Sequence, residues 1–163
     1  MLKDQIKKDQ IAALKTANQL QRTALGMLLA AIQNKELVKR TALSKTVSDT
    51  ADLEIKSKLT DEEIIDVVAG EIKKRKESAE QFRVGKRPEL AATEEKEIEY
   101  FAIYMPPQLS ETAVSEIIRT VIKEQGATAL KDMGKVIGTV MSHVRGQADG
   151  MLVSRLVKEY LQG

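Results

Sequence analysis

The hydrophobic positions of this chain recur at helical spacing along almost its whole length. Near the N-terminus, one stripe of apolar positions contains Leu2, Ile6, Ile11, Leu14 and Ala17. The next segment has an apolar face wide enough for the central helix of a bundle, formed by Leu25, Leu28, Leu29, Ile32 and Leu37. Nowhere do apolar and polar residues alternate over the length of a strand. The pattern therefore predicts an all-α protein.

Residues that start and stop helices divide the central part of the chain. Thr60 followed by Glu63 is a capping-box signature, and the helix that begins there is expected to run to about residue 83. Gly85 suits the position just after that helix, and Pro88 suits the first turn of the next one. That next helix should end before Pro106, because proline disfavours the helical conformation of the residue that precedes it.

Three shorter helices are predicted after the prolines. The first begins at Ser110 and stops at Gly126, and the other two span residues 132–145 and 149–161. Asp132 is expected to be the N-cap of the helix that it begins. This part of the chain is therefore expected to form a small three-helix domain.

Residues 41–58 are rich in serine, threonine, aspartate and lysine, and their hydrophobic periodicity is weak. This composition predicts a connection with a short helical turn near Ala51–Ile55. Taken together, the pattern predicts a bundle of roughly four helices over residues 1–105 and the C-terminal helical domain over residues 106–163.

The composition excludes several kinds of chemistry. The 163 residues include no cysteine and one histidine, which excludes disulfides, thiolate metal sites, cysteine catalysis and histidine-rich metal sites within the chain. Tryptophan is absent and aromatic residues make up 3% of the chain, so few side chains can stack on nucleic-acid bases. We predict no catalytic residue, no metal ligand and no cofactor.

The apolar runs are far shorter than the roughly 20 residues that cross a membrane, and the N-terminus is charged from the start. We therefore expect a cytoplasmic protein without membrane association. The net charge of +2 is close to neutral, but residues 1–58 carry 11 basic and 6 acidic side chains. Such an excess permits contact with a polyanion and does not require it.

Residues 131–150, KDMGKVIGTVMSHVRGQADG, contain four of the nine glycines although the apolar positions keep helical spacing. On a helical wheel, Gly134 and Gly138 lie beside the apolar face, with Arg145 on the same side and Lys135 on the polar arc. The favoured interpretation is close packing of another helix of this chain against the glycines. The functional interpretation is a seat for a partner helix or an RNA backbone beside the two cations. A phosphate-binding loop is disfavoured, because no strand precedes the glycines.

Neither the histidine nor the acidic clusters indicate catalysis. His143 lies at the border of an apolar face and is expected to be a half-buried structural residue, because no serine or carboxylate is spaced to form a relay with it. The acidic residues near Asp61 and Glu94 are explained by helix starts or solvated faces. Asp149 before Gly150 indicates a turn and a helix start.

A basic run, KKRK, lies within the predicted helix that follows Thr60. Four consecutive basic residues spread over most of the circumference of a helix, so they do not form one patch. Lys73 and Glu77, and likewise Lys76 and Glu80, are spaced as ion pairs four residues apart. A solvated, salt-bridged face is therefore the favoured interpretation of this run.

Three cations, Arg83, Lys86 and Arg87, converge around a glycine turn at the end of the same helix. Cations in this position are suited to gripping phosphates. They are equally suited to satisfying the last carbonyl groups of the helix. The sequence leaves both interpretations open.

Several motifs occur in an order typical of the YqeY family: MLLAAIQNKEL, LTDEEIIDVVAGEIKKRKESAEQF, GKRPELAATEEKEIEYFAIYMPPQLS, GATALKDMGKVIGTVM and GQADGMLVSRLVKEYL. From about residue 2 to 161, the chain resembles these small bacterial proteins. The family is similar to the C-terminal tail of the B subunit of the glutamine-dependent tRNA amidotransferase. Its C-terminal signature is matched by Asp132, Met133, Gly134, Lys135, Gly138, Ala148, Asp149 and Gly150, and its middle segment by Arg75, Phe82, Arg87, Tyr104 and Pro106.

The resemblance implies an all-helical bundle with a small C-terminal domain and a tRNA-associated accessory role. Members of this family are commonly assigned carbon–nitrogen ligase activity with glutamine as amido-N-donor, and the resemblance also implies that assignment. We expect tRNA, an amidotransferase or another translation component as the partner, and no intrinsic catalysis. The alternative is a protein–protein adaptor that docks through Gly134 and Gly138 without RNA contact. Gly26 stands where the family tends to have an arginine, so any contact made by that arginine is in doubt here.

Overall fold

Residues 1–162 are described by a computed structural model, and over that range the chain contains eight α-helices and no strand. The helices are α1 (Leu2–Lys15), α2 (Gln19–Leu43), α3 (Thr50–Ser57), α4 (Asp61–Val84), α5 (Pro88–Ala102), α6 (Glu111–Gln125), α7 (Met133–His143) and α8 (Gly150–Gln162). The prediction of an all-α protein is confirmed. In this range, no helix is both long and apolar enough to cross a bilayer.

The chain divides into two compact units, Met1–Tyr104 and the residues from Met105 onward. In the first unit, α4 and α5 form a hairpin, and α2 packs on α1, α3, α4 and α5. The fully buried side chains at its centre are Ile6, Leu25, Leu28, Ile32, Ile64, Val68 and Phe101. Burial of each such side chain stabilises the fold by about 1.5–3 kcal/mol.

Three apolar residues predicted for the buried face of this bundle are instead exposed. Ile11 is 54% exposed, Leu14 is 55% exposed and Leu37 is 62% exposed. For α1 the prediction was wrong because this helix contributes Ile6 and Ala13 to the core, on the opposite side from Ile11. In α2 the buried residues end at Ile32, so Leu37 lies beyond the part of the helix that enters the core. These exposed residues give the outer surface of the bundle an apolar component.

The capping predictions for this unit are largely confirmed. Thr60 and Glu63 form the reciprocal capping box, with Thr60 N donating to the Glu63 carboxylate over 2.8 Å. Pro88 is the first residue of α5. The connection over residues 41–58 contains the predicted helical turn, which extends to the two-turn helix α3 and is capped by Asp49.

Gly26 of α2 faces the side chain of Gln10 in α1. A Cβ atom placed on Gly26 would lie 2.9 Å from Nε2 of Gln10. An arginine at this position therefore requires the end of the Gln10 side chain to move.

The second unit consists of α6, α7 and α8 around one apolar core. Its fully buried members include Val114, Ile118, Val136, Val140, Val144, Val153 and Val157. Ser110 caps α6, and Gly126 ends it in the left-handed conformation at φ +61°. Leu109 N donates to the carbonyl of Gln147 over 2.8 Å, which fastens the segment before α6 to the α7–α8 connection.

Candidate nucleic-acid interface

The two glycines of α7 lie on its exposed surface. Gly134 and Gly138 are one turn apart, and a Cβ atom added to either would meet no neighbouring atom within 4 Å. The prediction that another helix of this chain packs closely against them is therefore wrong. The glycines leave a bare strip of backbone on the outside of the second unit, which we call the α7 glycine strip.

The opposite side of α7 holds the helix in place. Val136 and Val140 are fully buried in the core of the second unit. At the edge of the core, Gln125 Nε2 of α6 donates to Thr139 Oγ1 over 2.7 Å. Because Thr139 is the residue after Gly138, this bond fixes the rotation of α7 and keeps the glycine strip turned outward.

Asp132 is the N-cap residue of α7, as predicted, but its side chain makes no cap hydrogen bond to that helix. Its carboxylate instead accepts from the backbone N–H groups of Thr128 and Ala129, each at 3.3 Å, and Asp132 ends a single 3₁₀ turn before α7. At the other end the helix stops at His143 rather than at Arg145. The wheel therefore does not fix the direction of the Arg145 side chain.

His143 is exposed in the structure. The prediction of a half-buried structural histidine is wrong, because His143 is the last residue of α7 and the following residue, Val144, turns into the core instead. Asp149 precedes α8 and accepts from Met151 N over 2.7 Å, which confirms the predicted turn and helix start.

Cations flank the glycine strip. Lys135 follows Gly134 directly, and Lys131 lies in the 3₁₀ turn before the helix; both are exposed. Among the described residues no carboxylate pairs with Lys135. Arg145 is also exposed. The strip therefore combines accessible backbone with positive charge.

The second set of predicted cations lies in the first unit, where α4 meets α5. Helix α4 ends in a Schellman motif. Arg87 N donates to the carbonyl of Phe82 over 2.8 Å, and Lys86 N donates to the carbonyl of Arg83 over 3.1 Å. The left-handed position is occupied by Lys86 at φ +56°, whereas Gly85 has an ordinary φ of −74°. Gly85 therefore lies one residue before the left-handed position, which is the position that favours a glycine.

The three cations at this turn are not equally available. Arg83 bonds to Glu80 over 3.2 Å and also to Glu95 of α5. Lys86 and Arg87 are exposed and, within the described range, have no acidic partner. The turn therefore offers two cations for a polyanion, and the third already belongs to an ion-pair network.

The basic run of α4 contains a buried arginine that the sequence interpretation missed. Arg75 is 7% exposed, and its Nε donates to Glu97 of α5 over 2.7 Å. Its Nη1 donates to Glu71 over 2.9 Å, and its guanidinium lies 4.4 Å from the ring centre of Phe101. The periodicity gave one signal for this: Arg75 lies seven residues after Val68, on the buried face of the helix.

The predicted pairs around this run are realised in part. Lys73 and Glu77 approach to 4.0 Å, at the limit of an ion pair. Glu80 bonds to Arg83 rather than to Lys76. The solvated-face interpretation therefore holds for Lys73 and Lys76, which are exposed, and fails for Arg75.

Two carboxyl groups near the buried arginine have pKa values shifted in opposite directions. Burial raises the pKa of Glu71, but hydrogen bonds from Lys74 and Arg75 outweigh this effect, so the pKa is below its ordinary 4.5. The pKa of Glu94 is raised by burial and by the neighbouring Glu97 carboxylate, against the influence of Arg75. The described range contains no group of three or more histidine, aspartate or glutamate side chains placed to hold a metal ion.

Comparison with known protein families shows which family this chain belongs to. The family described as Yqey-like protein matches residues 3–161, nearly the whole chain. The chain belongs to the YqeY-like family. The α7 glycine strip and the α4–α5 turn both lie inside the matched region, so they are parts of the family domain.

A curated relative is known from the fungus Pyrenophora tritici-repentis (strain Pt-1C-BFP). It is named altered inheritance of mitochondria protein 41, mitochondrial, and is 29% identical over 105 residues. The match covers 61% of the present chain and 56% of the fungal protein. The similarity therefore spans little more than half of that relative.

Proposed function

We propose that this YqeY-family protein is a tRNA-associated accessory protein that binds RNA through the α7 glycine strip and performs no reaction of its own. The main support is the exposure of Gly134 and Gly138, which have no packing role inside the unit. Glycine weakens a helix interior by roughly 0.5–1 kcal/mol relative to alanine. Two such residues on an open surface suit a site where another backbone must approach closely.

Electrostatics favours a polyanion as the occupant of the strip. Within residues 1–162, Lys135 has no acidic partner and lies beside the exposed backbone, and the exposed Lys131 and Arg145 add positive charge. A sugar–phosphate backbone fits a flat strip bordered by cations, because phosphate contacts supply most of the affinity of sequence-independent binding. Lys86 and Arg87 at the α4–α5 turn are proposed as a second contact region.

The resemblance to the amidotransferase tail selects tRNA among polyanions. In that enzyme the related tail helps to hold the tRNA, whereas other parts carry out the chemistry. This chain has the tail-like signature residues, and we expect no nucleophile with an adjacent base in it. We therefore propose that the carbon–nitrogen ligase activity associated with the family belongs to the amidotransferase, and that this chain does not carry it out.

Filter binding with total tRNA tests this proposal. Gly138→Leu should weaken binding at least tenfold, because its side chain covers the strip, while the unit stays folded. Gly70→Leu is a matched control, since Gly70 is also a helical glycine with nothing within 4 Å of an added Cβ. Saturable tRNA binding that Gly138→Leu leaves unchanged would contradict the assigned interface, and no saturable binding at low salt would contradict the function.

The contribution of charge is tested by the salt dependence of the same assay. Lys135→Ala should reduce the slope of log K against log salt by about one unit, since one phosphate contact is lost. Lys123→Ala, which removes an exposed lysine of α6, should leave the slope unchanged. Equal slopes for the two variants would remove Lys135 from the interface.

The same strip also accommodates a partner helix, which makes a protein adaptor the second candidate. In that case, Gly138→Leu abolishes capture of an amidotransferase or another translation component after RNase treatment. Glutaminase assays on the purified chain distinguish these two non-catalytic functions from an enzymatic one. We expect no ammonia release, and turnover above the buffer control would overturn the non-catalytic assignment.

A further inference from the structure

The first two helices carry the positive charge of the first unit. Residues 1–48, which contain α1 and α2, have nine basic and three acidic side chains, whereas residues 49–104 have 10 basic and 15 acidic ones. The three acidic residues of α1 and α2 already have partners. Asp4 lies 4.0 Å from the N-terminal ammonium group, and Asp9 accepts from the Tyr104 hydroxyl over 2.7 Å. Glu36 bonds to Lys3.

Most of the cations in this segment have no such partner. Lys3 bonds to Glu36, and Lys39 bonds to Glu63 over 2.7 Å. The other seven cations are exposed and, within residues 1–162, have no acidic partner: Lys7, Lys8, Lys15, Arg22, Lys35, Arg40 and Lys45. A surface with this many cations that are not neutralised attracts an anionic partner.

Several of these cations lie along the line where α1 and α2 touch. The two helices meet where Lys3 bonds to Glu36 and where Gln10 faces Gly26. Helical spacing places four exposed residues on the same sides of the two helices as these contacts: Lys7, Leu14, Arg22 and Arg40.

Exposed apolar side chains lie beside these cations. Leu14 is on the contact line, and Ile11 and Leu37 are the next residues around their helices. All three are more than half exposed. Single exposed apolar residues are common, but apolar residues among unpaired cations form a surface typical of proteins that lie on a bilayer. We call the following set the α1–α2 face: Lys7, Ile11, Leu14, Arg22, Leu37 and Arg40.

The two kinds of side chain together indicate what this face binds. A nucleic-acid backbone would pair with the cations, but its sugars and phosphates offer no apolar surface that would cover Ile11 and Leu14. Anionic phospholipids offer phosphates to the cations and acyl chains to the apolar side chains. The acidic remainder of the first unit is repelled by an anionic surface, so the charge distribution turns the α1–α2 face toward it.

We propose that the α1–α2 face binds the surface of a bilayer that contains anionic phospholipids. The expectation of no membrane association rests on short apolar runs, which concern helices that cross a bilayer; contact with the bilayer surface requires only exposed residues. Each cation near an anionic surface strengthens binding about fivefold, so the attachment is reversible and is lost at high salt. It is independent of the proposed RNA binding, which uses other residues.

Flotation of the nuclease-treated protein with lipid vesicles tests the role of charge. The protein should bind vesicles of phosphatidylcholine mixed with phosphatidylglycerol at low salt, and it should not bind phosphatidylcholine alone. Lys7→Glu/Arg22→Glu should weaken binding at least tenfold, because two cations become anions. Lys76→Glu/Lys123→Glu is the matched control, since it makes the same change in net charge at exposed positions outside the face. The control should retain clearly tighter binding.

The apolar side chains are tested separately in the same assay. Ile11→Ser/Leu14→Ser should weaken vesicle binding about tenfold, because less apolar surface enters the acyl region. Val84→Ser/Ile103→Ser is the control and should leave binding unchanged, since these residues are 76% and 70% exposed and lie outside the face. Circular dichroism melting shows that each variant is folded before it is compared.

Three outcomes would overturn the proposal. The first is no binding to the anionic vesicles at low salt. The second is an equal effect of either face variant and its control. The third is loss of tRNA binding in Lys7→Glu/Arg22→Glu without any vesicle binding by the native protein, which would assign the α1–α2 face to RNA instead.

Discussion

Arg75 and Glu97 form a buried ion pair that joins α4 to α5. The two residues are 7% and 8% exposed, and Nε of Arg75 lies 2.7 Å from a Glu97 carboxylate oxygen. The face of Phe101 covers the guanidinium, which also bonds to Glu71. The core of the first unit therefore contains a polar network whose members depend on one another.

Removing one partner of this pair should strongly destabilise the protein. Arg75→Met leaves the Glu97 carboxylate buried without its cation, which typically costs about 3–5 kcal/mol. Urea unfolding gives the loss in the free energy of unfolding. The double variant Arg75→Met/Glu97→Leu should recover most of it, because an apolar pair needs no compensating charge. Lys74→Met is the neighbouring control and should change stability by less than about 1 kcal/mol, since the Lys74 side chain is exposed and Glu71 keeps its bond to Arg75 in this variant.

The helix boundaries could be predicted from the sequence because short-range interactions determine them. Thr60, Ser110 and Pro88 act on backbone groups within one turn, and the structure confirms each. The burial of Arg75 could not be predicted in the same way, because it depends on Glu97, which lies 22 residues away on another helix. Helical spacing places Arg75 on the buried face, but neither net charge nor local spacing shows that Glu97 is the partner that makes its burial possible.

The raised pKa of Glu94 predicts a stability effect that depends on pH. A raised folded-state pKa adds stability below the ordinary value of 4.5, and this stability is lost as the pH rises through the folded-state pKa. Glu94→Gln should therefore raise the melting temperature at pH 7 more than at pH 3.5. Thermal melts of both proteins at the two pH values measure the difference.

Glu71→Gln should change the stability with the opposite dependence on pH, and it therefore serves as the internal comparison. The lowered pKa of Glu71 adds stability above 4.5, and that stability is lost as the pH falls through the folded-state value. This variant should be less stable than the native protein at pH 7, with a smaller difference at pH 3.5. The same pH trend for both variants would contradict the assigned shifts.

Two glycine substitutions should change stability in opposite directions. Gly138→Ala should raise the free energy of unfolding by about 0.5–1 kcal/mol, because the position is helical and open space surrounds an added Cβ. Gly126→Ala should lower it by about 1 kcal/mol, because φ is +61° there. Urea titrations measure both. A destabilising Gly138→Ala would show that the α7 strip is packed after all.

The sequence located the glycine strip but assigned it the wrong favoured role. A helical wheel gives the direction of a residue relative to its own helix, and that direction was correct for Gly134 and Gly138. It does not show whether another helix occupies the adjacent space, which depends on how α6 and α8 approach α7. The same limitation explains Ile11 and Leu37, whose apolar character predicts burial although no neighbouring helix reaches them.

Lys86→Gly should stabilise the protein while weakening its contact with RNA. Lys86 adopts φ +56°, which costs a residue with a Cβ about 1 kcal/mol, and glycine removes that cost. Lys76→Gly, an identical change at an exposed position inside α4, should instead destabilise by about 1 kcal/mol. Urea unfolding distinguishes the two signs, and tRNA binding at several salt concentrations should show a slope reduced by about one unit for Lys86→Gly. A more stable variant with an unchanged slope would establish that the α4–α5 turn tolerates Lys86 for a reason other than phosphate binding.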